Sequence, residues 1–149
     1  ALDYARTTQD QRERRTVLSV LAANVGADEL TDLYEQVQTD DWQGQEAWSV
    51  MQASLGNDQN REKAWELYKA NFDAVLPRTP EIRKAQTAGG IANFCTPDEA
   101  SAARTFYTSK AALMPGYERS LAQGEEAANL CAAFREGKAE DLKNALSED

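Results

Sequence analysis

The stretch from Arg61 to Arg78 constrains the fold most, because Trp65, Tyr68, Phe72, Val75 and Leu76 recur there at helical spacing. That spacing puts all five on one stripe of a 3.6-residue period, and Pro77 ends the run because it lacks an amide hydrogen. A helix carrying such a stripe must bury it against other elements. The periodicity is silent about chemistry.

The same period recurs along the rest of the chain, whereas strand-like alternation does not. Between Arg12 and Val25, the residues Val17, Leu18, Leu21 and Val25 share a face, with Gly26 as the stop. From Asp28 onward, Leu30, Leu33, Tyr34 and Val37 fall at i, i+3, i+4 and i+7. A third helix starts after Asp40 and Asp41, either of which can accept first-turn amide hydrogens. It carries Trp42, Ala47, Trp48, Met51 and Leu55 as far as Gly56.

After the aromatic helix, Thr79-Pro80-Glu81 opens a short helix around Ile82 that runs to a turn at Gly89-Gly90. Thr96 and Glu99 have capping-box spacing and open a helix expected to bury Ala103, Phe106, Tyr107 and Leu113 before Pro115. Another begins between Pro115 and Glu118 and runs through Leu121, Ala128, Cys131 and Phe134 to Gly137. A last one spans Ala139 to Leu146 on a narrow stripe of Leu142 and Leu146.

The expected fold is therefore all-α, with about eight helices in a single domain over residues 1–149. Connections of a few residues make neighbouring helices antiparallel, which suits an irregular α-solenoid of HEAT-like pairs; a compact bundle is the alternative. The structural core is expected to include Trp65, Tyr68, Phe72 and Phe106.

Composition narrows the partners. A net charge of -9 argues against a nucleic-acid or anionic-membrane surface, and no apolar run approaches the length of a membrane span. Arg12, Arg14 and Arg15, diluted by Glu13, read as a solvated helix face. The chain starts at Ala1 without an initiating methionine or a leader pattern, and reads as a C-terminal fragment of a longer protein.

The inventory of reactive groups is short. Histidine is absent, so this chain's own residues cannot supply a Ser-His-Asp or Cys-His site, a His-ligated zinc or a His general base. Adjacent acids at Asp40-Asp41, Glu125-Glu126 and Glu140-Asp141 point about 100° apart on a helix and do not converge, which makes a carboxylate-only enzyme the weakest reading. Gly89-Gly90 lacks the Gly-Lys-Ser/Thr of a phosphate loop. No catalytic residue, bound cofactor or metal ligand is assigned.

Cys95 and Cys131 fall at the start of one helix and within the next, where either a disulfide or two buried thiols fits. A bridge would stabilise by about 4 kcal/mol in the chain-entropy treatment and would argue for an exported parent; free thiols would remove that argument. Localisation stays open on sequence.

Lys63-Ala64-Trp65, then Asn71-Phe72-Asp73 and Pro77-Arg78, resemble a segment of the C-terminal helical domain of zinc aminopeptidases of the aminopeptidase N family. Downstream the order is similar too: Gly89-Gly90, Phe94-Cys95-Thr96 with Glu99, the paired Phe106-Tyr107, and a closing helix with Arg119, Leu121, Gln123, Glu126 and Cys131. Upstream, Arg14-Arg15 with Val17 to Ala22, and Asp40-Asp41 with Trp48, resemble two earlier helices of that domain. Gly124 and Ala128 stand where bulkier apolar residues are usual.

The resemblance implies a chain that omits the chemistry. In such enzymes a separate thermolysin-like domain holds zinc through HExxH and a distant Glu, and a Gly-Ala-Met-Glu-Asn segment binds the peptide's amino terminus; neither motif occurs here. By similarity this is a non-catalytic cap, whose partners are the parent's catalytic domain and the parent's peptide substrate, with zinc in that missing domain and no cofactor of its own. A free-standing helical-repeat module that binds another protein is the alternative.

Overall fold

A computed structural model describes residues 1–147. Every regular element among them is helical, so the all-α expectation holds: α1 (Leu2–Thr7), α2 (Gln11–Asn24), α3 (Ala27–Val37), α4 (Gly44–Ser54), α5 (Arg61–Val75), α6 (Glu81–Gln86), α7 (Pro97–Ser109) and α8 (Glu118–Ser147). Short 3-10 segments occupy Leu76–Arg78, Thr87–Asn93 and Ala111–Leu113. The chain divides into two compact units, Ala1–Arg83 and Lys84–Asp149.

In the first unit, α2 packs chiefly against α4, and α4 also meets α3 and α5. Consecutive helices α2 and α3 are not the main partners that short connections suggest. The reason is local: Val25 and Gly26, the whole connection, are both extended, so α3 leaves in a new direction instead of folding back. The core is Leu18, Leu30, Tyr34, Val50, Leu55, Tyr68, Phe72 and Val75, all essentially inaccessible to solvent. Tyr34 carries its hydroxyl into that core, where it pairs with Ser54 Oγ at 2.8 Å. Burial pushes the Tyr34 hydroxyl well above its usual range, so it stays neutral and satisfied.

Several helix bounds differ from the sequence reading. Asp40 and Asp41 do not cap α4; Gln43 does, in a capping box whose return bond runs from the Gln43 amide to Glu46 Oε2 at 2.7 Å. A first helix, α1, lacks a full heptad of pattern and is invisible to periodicity; it covers Ala5 against α2. Asp10 caps α2 by accepting the Arg12 and Glu13 amides at 2.8 and 3.2 Å. Those bonds, Glu13's first, hold the Asp10 carboxyl below its usual range.

In the second unit, the 3-10 segment Thr87–Asn93 lies against α8, and α7 packs on both. Thr96 caps α7 as expected, accepting the Glu99 amide at 3.3 Å and donating its hydroxyl to Glu99 Oε2 at 2.7 Å. The two closing helices expected on either side of Gly137 are one continuous helix, α8. A glycine in a helix interior costs only about 1 kcal/mol relative to alanine, too little to break a helix without a proline or a competing turn.

Candidate functional site

The structure separates the reactive groups that the sequence singled out. Asp40 and Asp41 are exposed, Glu125 pairs with Arg104, and Asp141 pairs with Lys138 at 3.2 Å. Among the described residues no group of three or more His, Cys, Asp or Glu is placed to hold a metal ion. Cys95 and Cys131 are joined in a disulfide, with Cα atoms 5.1 Å apart, so neither offers a thiolate to zinc. Among the described residues, no such cluster is placed to take a zinc ion.

The interior charge of the first unit lies instead at Arg14 and Glu46. Glu46 is 2% exposed, and Arg14 Nε lies 2.8 Å from its Oε1. The guanidinium also stacks over Trp42, 4.9 Å from the ring centroid, and reaches the Asp41 carbonyl at 3.3 Å. The Trp42 carbonyl accepts from Arg78 Nη2 at 2.7 Å. Arg14 is thus not part of a solvated basic face: it ties α2 to the start of α4. Glu46 Oε2 accepts the Gln43 amide at 2.7 Å, and Oε1 faces Arg14 Nε as an ion pair. The cluster is structural.

The aromatic stripe behaves in the same way. Tyr68 and Phe72 are fully buried, and Tyr68 takes a hydrogen bond from Gln52 at 3.0 Å. Trp65 is half-buried: it stacks on Tyr68 at 5.4 Å and carries Lys69 Nζ over its ring at 5.5 Å, so the stripe emerges from the core at its first turn. Phe106 is also half-buried, because it meets Tyr107 edge-on while Tyr107 takes the fully buried position. Leu113, expected inside, is 37% exposed, and the neighbouring Met114 fills the core. That exchange arises from the break at Lys110, which resets the helical phase.

The Gly89-Gly90 pair is neither a phosphate cradle nor a simple turn. It lies within the 3-10 segment that α8 packs against, and Gly124 of α8 approaches it closely. A Cβ there would come within 2.5 Å of Ile91 Cγ2 and 3.0 Å of the Gly89 carbonyl oxygen. Of the two residues that stand where bulkier ones are usual, Gly124 is the one at which two backbones nearly touch.

The aromatic stripe, the disulfide and the close approach at Gly124 are all packing features. Residues 1–130 match the model of the ERAP1-like C-terminal domain. The chain belongs to that family. It is accordingly a helical C-terminal domain of an aminopeptidase of the aminopeptidase N type, as the resemblance implied. No curated protein matches the chain. The family match stops at residue 130, next to Cys131 and just before α8 loses its packing partners.

Proposed function

We propose that this chain is a non-catalytic cap: it closes over the substrate cavity of a zinc-dependent aminopeptidase and limits which peptides reach the catalytic domain. The observation that carries the reading is the match to the ERAP1-like C-terminal domain over residues 1–130. Two features support it. The sequence has no histidine to ligate zinc, and the charged groups nearest the interior are consumed in holding helices together. The Cys95–Cys131 disulfide supports an exported parent, since such bonds persist in oxidising compartments. In this reading the zinc, the general base and the amino-terminus recognition all reside in the parent's catalytic domain.

Two measurements test it. The purified chain, incubated with zinc and an aminoacyl chromogenic substrate, should give no hydrolysis; chelator-sensitive turnover would sink the reading. In the parent enzyme, removal of this domain should leave turnover of a single aminoacyl substrate in place but change the dependence of rate on peptide length. An unchanged length profile would show that the domain does not govern access.

A further inference from the structure

The Cys95–Cys131 bridge stands at the border between the packed and the exposed part of α8. Leu121 and Ala128 are buried, Cys131 is half-buried, and every residue from Ala133 to Leu146 is exposed. The two ends of the bridge are held differently. Cys95, also half-buried, sits between buried Phe94, whose amide donates to the Ile91 carbonyl at 3.0 Å, and Thr96, the cap of α7.

Cys131 is covered on one side by its own helix. Phe134 and Arg135, three and four residues on, are its neighbours on the helix surface, and helical side chains lean toward the N-terminus, which places that turn over Cys131. Little holds the turn in place. Phe134 is 66% exposed, and at Gly137, where glycine weakens a helix, a Cβ would meet nothing within 4 Å. A helical segment sustained by its own hydrogen bonds opens at low cost, while the packed part stays folded. Exchange of a disulfide with a thiol depends on access to the attacked sulfur, so an opening of this kind decides whether it occurs.

From this placement we infer that Cys131 is a thiol-exchange site gated by the end of α8: opening of the exposed turns uncovers its sulfur to a small thiol, while the start of α7 keeps Cys95 in place. The incoming thiolate attacks Cys131 Sγ and forms a new S–S bond with it. The bond to Cys95 breaks, and its electron pair leaves on Cys95 Sγ, which takes a proton from water. A second thiol attacking this mixed disulfide frees Cys131 and departs as a small disulfide, so two thiols are oxidised for each bridge reduced. Stopped after the first step, Cys131 carries the small thiol as a modification, and α8 loses its covalent tie to the start of α7. The inference goes beyond the cap reading and does not depend on it.

The probe is 2-mercaptoethanol, added to the oxidised chain and quenched early with excess iodoacetamide before tryptic digestion and mass analysis. The mercaptoethanol adduct should lie on the peptide 120–135, which holds Cys131, and the alkylated thiol on the peptide 85–104, which holds Cys95. The reverse labelling would overturn the assignment. Gly137→Ala should slow loss of the bridge by about fivefold and Ala139→Gly should speed it by a similar factor, because each alters the stability of the gating turns alone. Rates indifferent to both variants would mean that the sulfur is reached without opening of α8, and would remove the gate. Adding about 1 M urea should change the rate by less than about twofold, whereas exposure through unfolding of the whole unit would raise it about fivefold or more. A rise of that size would overturn the local route.

Discussion

A single absent methyl group decides how the second unit packs. At Gly124 the added Cβ meets the Ile91 side chain at 2.5 Å and the Gly89 carbonyl at 3.0 Å, and a carbonyl in a packed backbone cannot step aside. Gly124→Ala should therefore destabilise by about 1–3 kcal/mol as overpacking, despite alanine's better helix propensity. A urea midpoint at or above the parent value would contradict the crossing geometry. At Arg14 and Glu46, Glu46→Ala should cost about 2–4 kcal/mol, because it strands a partly buried guanidinium, and Glu46→Gln should cost less by keeping a hydrogen-bond acceptor. Asp10 offers a test by pH. Its carboxyl is held low in the folded chain, so its contribution is present at neutral pH and is lost as pH falls through that lowered value. Asp10→Asn should remove this part of the acid-side dependence, measured as urea midpoints between neutral and strongly acidic pH. Of these three residues, Asp10 and Glu46 belong to local cap patterns at helix starts. Gly124, and the pairing of Glu46 with Arg14, act through contacts distant in the chain, which periodicity cannot see.

At the scale of elements, periodicity locates α2 to α5 and α7 because each buries a stripe, and it misses α1 because six residues hold too little pattern. It also divides α8, since glycine and a polar run look like an ending where no competing turn exists. Beyond Ala132, α8 continues exposed, with Phe134, Leu142 and Leu146 each more than 60% accessible. An unpacked helix of this length has only local bonds to sustain it. Amide exchange should be fast from about residue 135 onward and slow around Leu121 to Ala128. Gly137→Ala, where a Cβ meets nothing within 4 Å, should slow exchange in its neighbours while leaving the thermal midpoint unchanged. A shift of that midpoint by several degrees would mean the segment is packed against something.

For the molecule as a whole, the order of anchors is more informative than any one of them. Trp65, Phe72 and Cys95 each say little alone, whereas the match over residues 1–130 as a whole shows the ERAP1-like C-terminal domain. Reduction of the disulfide should lower stability by about 4 kcal/mol, the loop-closure value for 36 residues of separation, read from urea midpoints with and without reductant. The same bond has a consequence for cleavage. All of α7 and the Lys110–Tyr117 connection lie inside the covalent ring closed by Cys95 and Cys131. A protease that cuts after Lys110 opens the ring without releasing a fragment, so the nicked chain should migrate near full mass until reductant separates its halves.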